Sequence, residues 1–514
     1  MLAQIKAASV VGVQAFPVEV EVNVGEIVSM GMPEFVVVGL PDAAVKESRD
    51  RVRTALQNSG YNHPAGKVTV NLAPADLRKE GPSFDLPMAL GILAASGQCK
   101  PLPVREGRFL AVGELALTGV VRRVKGVLPI ALMAKKAGYA ALLVPGENAA
   151  EAAVVDGIKV FPVKSLRLAA EFLEGHAPLA PQEHRVDFID ANREGELDFS
   201  DVKGQESVKR ALEIAAAGGH NVLLIGSPGT GKSMLAKRLP GILPKMSLPE
   251  ALETTRIHSV AGLLPGGRAL VESRPFRAPH HTISDIGLIG GSAQPMPGEV
   301  SLAHNGVLFL DELPEFKRSV LEVLRQPLED GQVTISRAAG TVTFPSRFMF
   351  VAAMNPTPTG SAADVQKGRV SAAAVQRYLN RVSGPLLDRI DIHVEMSALK
   401  HEQLLAAPTG ESSEQIRARV ETCRQLQHRR FSGKSIWCNV QMNSKQIQSY
   451  VPLDEESRDL LKYAMDDLKL SARAYDRILK VARTIADLAG QERVNVEHIS
   501  EAVQYRTLDR QVWG

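Results

Sequence analysis

The chain is poor in cysteine: its 514 residues include three, Cys99, Cys423 and Cys438. They lie far apart with no C-x-x-C pair. That argues against a disulfide framework and a cysteine zinc site, and leaves reduced thiols in a cytosolic protein as the simplest reading. Long hydrophobic runs are also lacking. No apolar stretch approaches the roughly 18 residues of a membrane span. The start Met1-Leu2-Ala3-Gln4-Ile5-Lys6 has neither the charged opening nor the apolar centre of a signal peptide. A soluble, cytoplasmic protein with no membrane partner is the expectation. Nor does one sign of charge dominate. Lys and Arg number 60 against 57 Asp and Glu, a net charge of +3, so a polyanionic partner has to be gripped by a local patch. The length fits about three or four domains.

Against these absences stand two stretches with nucleotide chemistry. Gly226-Ser227-Pro228-Gly229-Thr230-Gly231-Lys232-Ser233 fits the P-loop pattern G-x-x-x-x-G-K-[ST] at every fixed position. It follows the apolar run Val222-Leu223-Leu224-Ile225 and precedes a helical stretch from Met234, the strand, loop and helix order that the motif needs. The glycines let backbone N–H groups turn inward around the phosphates of ATP. Lys232 reaches the outer phosphates, and the Ser233 hydroxyl ligates Mg²⁺. Downstream, Gly306-Val307-Leu308-Phe309-Leu310-Asp311-Glu312 is short enough for a buried parallel strand and ends in two acids, a Walker B pattern. Asp311 would hold Mg²⁺, through water or directly, and Glu312 would polarise the water that attacks the γ-phosphate.

Taken in order, residues 1–178 alternate strand-like and helix-like segments. Strands are expected at 18–24, 34–40, 67–72, 109–113 and 140–145, and helices at 43–59, 87–95 and 127–137, which makes an α+β domain with a mixed sheet. Glu80-Gly81-Pro82-Ser83-Phe84-Asp85-Leu86-Pro87, then Gly113-Glu114-Leu115-Ala116-Leu117-Thr118-Gly119, then Leu142-Leu143-Val144-Pro145-Gly146-Glu147-Asn148 resembles the segment order of the proteolytic domain of Lon-type proteases, a fold of the ribosomal S5 domain 2-like type. In that family the serine of G-P-S is the nucleophile and a later lysine its base. Ser83 matches the first. The base position falls at or near Leu128, which takes no proton, and Lys125 is not at the matching place. A Ser-Lys dyad needs an amine within hydrogen-bond reach, so a Lon-like fold without peptidase activity is expected, with Ser83 a turn residue. Residues 179–199 turn polar and lose periodicity, as a linker does.

Residues 200–398 carry the remaining motor signals. The stretch Phe199-Ser200-Asp201-Val202-Lys203-Gly204-Gln205 resembles the segment that lies over the adenine in AAA+ ATPases. An insertion from Leu248 to Ala303 holds His280-His281, whose adjacent side chains lack metal-ligand spacing, so a structural or subunit-contact role is favoured. Residues 332–344 read as two strands about a glycine turn with Arg337 near the tip, a candidate DNA contact. Asn355, ending the strand 347–354, resembles the sensor 1 residue that orients the lytic water. Arg389 in Leu386-Leu387-Asp388-Arg389-Ile390-Asp391-Ile392 resembles an arginine finger, the alternative being a salt bridge to Asp388 or Asp391. Residues 399–514 read as a helical lid with helices at 414–429, 454–468, 472–489 and 496–505. Arg473, opening one of them, resembles sensor 2 and would face the phosphates, with Arg477 the runner-up. The basic strip from His428 to Trp437 is weighed as a DNA contact against a solvated face.

Across nearly its whole length the chain resembles the magnesium chelatase-related AAA+ ATPases of the ComM/YifB family. The resemblance implies an α/β AAA+ P-loop core with a C-terminal helical lid behind a Lon-like domain. It also implies a hexameric ring that hydrolyses ATP with Mg²⁺ between subunits, and a helicase that promotes branch migration on DNA during natural transformation and recombination. Two other classes stay open: a metal-chelatase motor, whose family lacks a Lon-like first module, and an ATP-dependent protease, disfavoured by Leu128.

Overall fold

The computed structural model describes residues 2–25, 34–102, 108–184, 197–292, 295–337, 340–360, 370–398, 410–434 and 436–508. It divides into two compact units, Met1–Ile189 with Leu248–Glu272, and Asp190–Ser247 with Ser273–Gly514.

The first unit is built on a seven-stranded mixed sheet. Its strands run Phe35–Val38, Val68–Ala73, Gln14–Val24, Leu2–Val11, Phe109–Ala111, Ala141–Pro145 and Lys159–Val163 in spatial order. The two long strands form an antiparallel hairpin, Leu2 opposite Asn23 through Val11 opposite Gln14. Phe109–Ala111 then continues in parallel from Leu2–Val11, and the two remaining strands follow in parallel. Val18, Val20 and Val22 alternate inward and are fully buried, as a strand with one wet face requires. The helix Asp85–Ala95 is apolar on nearly every side and almost wholly buried, which is the pattern of a helix inside a core rather than on it. It passes so close to the sheet that a Cβ on Gly91 would stand 2.6 Å from Val22 Cγ2. Ser83 lies in the single turn Pro82–Phe84, its carbonyl accepting from Gly113 N at 3.0 Å. Leu128 is fully buried, and its amide donates to Glu151 Oε1 at 2.9 Å.

The helix Leu248–Ala261 belongs to this unit although its sequence falls within the 200–398 span expected for the motor. It is tied down by polar contacts at several points. Ser259 donates to the buried carboxylate of Glu151, Gly126 N donates to Ser259 O at 3.2 Å, and Arg256 Nη2 donates to Val13 O at 2.7 Å. Leu252 packs on the cluster around Ala8, Leu110 and Val127. A fragment of residues 1–184 alone is therefore expected to melt about 10 °C below the same fragment with 248–272 appended through a flexible linker. That is the shift roughly 3–4 kcal/mol of lost docking gives in a domain of this size. Calorimetry of the two fragments checks it, and equal melting temperatures would show the docking to be idle.

The second unit holds a five-stranded, all-parallel sheet in the order Phe276–Arg277, Val307–Leu310, Met349–Met354, Val222–Gly226, Ile392–Met396. Its three inner strands are buried at every residue, because helices cover both faces of such a sheet and a continuous apolar run is what survives there. Among the C-terminal helices are Ser413–Arg430, Ser444–Tyr450, Glu455–Leu468, Ala472–Leu488 and Val496–Gln504. Ser412, Asn443, Asp454, Ser471 and Asn495 cap them, each side chain accepting from an amide three residues on, the usual way to satisfy those donors. Their apolar faces join one hydrophobic cluster with the sheet and its helices, from Val222 and Leu235 through Ile416 and Val420 to Ile478 and Ile499.

Candidate active site

The strand Val222–Gly226 delivers its loop at the carboxyl end of the parallel sheet, between Met349–Met354 and Ile392–Met396, where open α/β sheets bind ligands. Gly229 and Gly231 take left-handed φ values of 81° and 96°, and a Cβ on either would meet nothing within 4 Å. The loop is thus an open cradle that only glycine lines without strain. Gly231 caps the helix Lys232–Ile242 with no side-chain hydrogen bond, so its first amides point to whatever anion the cradle takes. Lys232 lies back along the loop, its Nζ donating to Gly226 O (2.6 Å), Ser227 O (3.1 Å) and Asn355 Oδ1 (3.1 Å). Burial lowers the Lys232 pKa against the pull of Asp311 and Glu312. A phosphate chain would supply the negative charge that this half-desolvated amine lacks.

Ser233 donates to Asp311 Oδ2 at 2.5 Å, and Asp311 Oδ1 accepts from Glu312 N at 2.9 Å. A hydroxyl and a carboxylate in contact are the hard oxygen donors that Mg²⁺ uses alongside phosphate oxygens. Glu312 leaves the strand with φ 53°, and Glu315 N donates to its carbonyl at 2.8 Å. His281 Nδ1 stands 3.5 Å from Glu312 Oε2, and the His281 ring lies against His280 with centroids 4.0 Å apart and planes tilted by 34°. Five expected residues, Lys232, Ser233, Asp311, Glu312 and Asn355, thus come together at the carboxyl end of the sheet. The contact of His281 with Glu312 was not legible: only the neighbouring strand Phe276–Arg277 brings the two segments side by side.

Arg389 and Arg473 are elsewhere. In the pairing of Val222–Gly226 with Ile392–Met396, Val222 faces Ile392 and Gly226 faces Met396. The P-loop leaves from the Gly226 end, whereas Arg389 precedes Ile392 at the other end, about 13 Å of strand away. Its guanidinium is buried, with Nη2 donating to Glu329 and Nη1 to Pro385 O at 2.5 Å. Neither Asp388 nor Asp391 is its partner in those contacts. Asp391 instead accepts from Arg477 and from Asn221 N at 3.0 Å. Burial would raise the Asp391 carboxyl, but Arg477, His220 and the Asn221 amide outweigh it and hold it well below the usual carboxylate range. Arg473 lies one turn before Arg477 on the helix Ala472–Leu488 and is close enough to Arg389 to lower its pKa, burial being the larger cause. The expectation that Arg473 faces the phosphates is therefore not met inside one chain, because its helix is anchored at the end of the sheet remote from the loop.

Arg337 is exposed on a two-stranded hairpin, Gln332–Arg337 with Gly340–Pro345. Val333, Ile335, Val342 and Phe344 are buried on one face, while Thr334, Ser336, Thr341 and Thr343 face outward. A second hairpin, Gly290–Gly291 with Met296–Pro297, abuts it: a Cβ on Gly291 would stand 3.1 Å from Arg337 Nη2. In the basic strip, Arg430 binds Asp487, Lys434 donates to Tyr450, and the Trp437 ring lies 4.9 Å from the Arg347 guanidinium, so much of it is engaged within the unit.

Three family models match the chain: magnesium chelatase, subunit ChlI, over residues 198–404; subunit ChlI of Mg-chelatase over 20–148; and magnesium chelatase, subunit ChlI C-terminal, over 410–506. The competence protein ComM of Haemophilus influenzae is 46% identical over 512 residues, 99% of this chain and 98% of that one. The uncharacterized protein YifB of Escherichia coli is 45% identical over the same span, again 99% and 98%. The magnesium-chelatase subunit ChlI of Cyanophora paradoxa is 23% identical over 327 residues, 59% of this chain and 86% of that one.

Proposed function

Because the chain belongs to the ComM/YifB family of magnesium chelatase-related AAA+ proteins, and so is built as an ATPase motor, we propose that it forms a ring that moves DNA. We take the ring to be a hexamer and the activity to be a helicase that promotes branch migration during natural transformation and recombination. One observation carries the ring. The P-loop and Arg389 stand at opposite ends of one sheet, so a copy cannot apply its own arginine to its own phosphates, and hydrolysis is completed between neighbours.

In this reading the glycine cradle and Lys232 hold the phosphates of ATP. Ser233 and Asp311 hold Mg²⁺, which when bound neutralises charge on the phosphate oxygens. Glu312 takes the proton of the attacking water, Asn355 orients that water, and Arg389 with Arg473 reaches across from the next subunit. A single nucleotide-stabilised assembly on sizing with a slowly hydrolysed ATP analogue, together with ATPase measured with and without single-stranded and forked DNA, tests it. A monomer with full turnover would sink it. The first unit is taken as a Lon-like fold without peptidase activity. The buried Leu128 at the base position supports this, and casein degradation that depended on Ser83 would refute it.

The DNA assignment is supported by the exposed cation on the Gln332–Pro345 hairpin, since a basic side chain can grip a phosphate backbone without reading sequence, and by the similarity to a protein named for competence, ComM. Arg337→Ala is expected to leave DNA-independent turnover within about two-fold and to cut DNA stimulation by roughly ten-fold, since hairpin and nucleotide loop are separate structures and one well-placed phosphate contact is worth on the order of 1–3 kcal/mol. Stimulation unchanged in the variant would remove Arg337 from the DNA path. A metal-chelatase motor is the second reading. The first module does not separate the two, since a ChlI model matches residues 20–148. Coverage favours the first, at 99% of this chain for ComM against 59% for ChlI.

A further inference from the structure

We propose that Asn221, Asp391 and Arg477 are positioning residues that clamp Arg389 and Arg473, as one rigid pair, to the foot of the strand carrying the P-loop. The inference rests on the reading that Arg389 acts on a neighbour's nucleotide, and it adds what holds the arginine there.

Asn221 immediately precedes the strand Val222–Gly226 and spends both its main chain and its side chain on other segments. Its Nδ2 donates to Arg389 O at 2.8 Å, and its Oδ1 accepts from Phe350 N, on the strand Met349–Met354, at 2.9 Å. Its main-chain amide donates to Asp391 Oδ2 at 3.0 Å, and its carbonyl accepts from the amides of Asp391 and Ile392, both at 3.1 Å. One asparagine thereby locks three neighbouring strands and the backbone of the arginine loop. No apolar side chain, and no aspartate, could make both amide-type bonds.

Asp391 extends the clamp to the C-terminal helices. It is 1% exposed, and its second oxygen takes the Arg477 guanidinium. His220, next to Asn221, lies with Nδ1 3.7 Å from Asp391 and Nε2 2.8 Å from Thr484 Oγ1, on the same helix as Arg477. Arg473 is one helical turn before Arg477 and shares its face, so fixing Arg477 fixes where Arg473 can reach. The Arg389 side chain is held more loosely than its backbone. Its partners are Pro385 O and the half-exposed Glu329, and its buried Nε has no hydrogen-bond partner among the described residues. A firmly placed backbone with an under-satisfied guanidinium suits a group that exchanges an internal partner for a phosphate on the next subunit. The clamp also makes the arginine pair follow any displacement of the P-loop strand, which gives each site a mechanical path to its neighbour.

Mixing of variant subunits tests this. Lys232→Ala removes the phosphate grip but keeps the arginine pair, and Arg389→Ala does the reverse, so mixed rings of the two regain turnover at about a quarter of their interfaces if assembly is random. Arg477→Gln, at a side chain that is one-fifth exposed and stays polar in the variant, is expected to bind a fluorescent ADP analogue and to assemble as the parent does while turning over at least ~10-fold more slowly. Mixed with Lys232→Ala it should regain turnover; mixed with Arg389→Ala it should not. Arg477→Lys, which keeps the charge, should recover part of the loss alone. Asn221→Ser run through the same mixes gives an independent reading should Arg477→Gln melt early. Rescue of Arg477→Gln by Arg389→Ala would place the defect in its own phosphate site and overturn the proposal. Rescue by neither partner would mean a merely structural role and overturn it too, as would full turnover of Arg477→Gln alone. If Lys232→Ala and Arg389→Ala fail to rescue one another, the trans reading itself falls and takes the clamp with it.

Discussion

Arg389→Ala is expected to reduce ATP turnover about 10³-fold while leaving nucleotide affinity within about two-fold, since an arginine supplied from a neighbouring subunit is worth 10³–10⁵ in rate. The split between the two effects follows from the sheet. Every group that lines the phosphate cradle is at the Gly226 end, and Arg389 is at the Ile392 end, so truncating it removes nothing that touches the nucleotide held by the same chain. The loss falls on charge stabilisation in the transition state, which shows in kcat rather than in binding. Arg389→Lys should recover little, because the ammonium lacks the planar fork that spans two phosphate oxygens. A drop in stability is also to be separated from a drop in rate. The arginine is buried against Glu329, and leaving that half-exposed carboxylate alone costs only about 1 kcal/mol. Steady-state turnover, equilibrium binding of a fluorescent nucleotide and a melting curve on one preparation decide it. Turnover equal to the parent would leave the protein a nucleotide switch that works alone.

What could be read in the sequence was what periodicity and local pattern determine. The P-loop strand, the Walker B strand and the helix Ala472–Leu488 are each single, strongly patterned segments, and all sit where the residues put them. The strand Leu2–Val11 was not legible. Its alanines and its lysine give neither clean alternation nor a dense β-branched run, and it exists because Gly12, at φ 60°, turns it back onto Gln14–Val24 in register. Lys159–Val163 was missed for a related reason: a short strand at a sheet edge is decided by its one neighbour, Ala141–Pro145. Of the site, Lys232, Ser233, Asp311, Glu312 and Asn355 could be named because motifs carry them. The meeting of His281 with Glu312 and the anchoring of Arg477 on Asp391 could not, since both join segments more than thirty residues apart, the first through the order of strands in a sheet and the second through a helix. The fate of Leu248–Ala261 was hidden for the same reason. Its buried side includes Thr254, Thr255 and Ser259 and so gives no clear apolar stripe, and only the partner surface around Glu151 and Leu128 says where it packs.

Glu312→Gln is expected to reduce turnover about 10²–10⁴-fold while keeping ATP bound, the range that removal of a general base gives. The amide has the shape of the carboxylate and cannot accept the proton of the attacking water. Lys232, Ser233 and Asp311, the residues proposed to hold the nucleotide, are untouched. The backbone argues that Glu312 is placed for this task and not merely tolerated. A non-glycine residue at φ 53° is held at a cost of the order of 1–3 kcal/mol, and such positions concentrate where the direction of one side chain matters. Here Asp311 Oδ1 takes the Glu312 amide, an arrangement that suits the proposed division in which one acid serves the metal and the next the water. Two neighbouring variants separate the steps. Lys232→Ala should lose nucleotide binding outright. Asp311→Asn should bind weakly and with little response to added Mg²⁺. Glu312→Gln alone should give a long-lived, ATP-loaded assembly that elutes as a ring without an ATP analogue. Sizing in ATP with the bound nucleotide extracted and identified reads this directly. ADP in the extract, or elution as a monomer, would move the base elsewhere in the site and leave Glu312 with His281 as a structural pair.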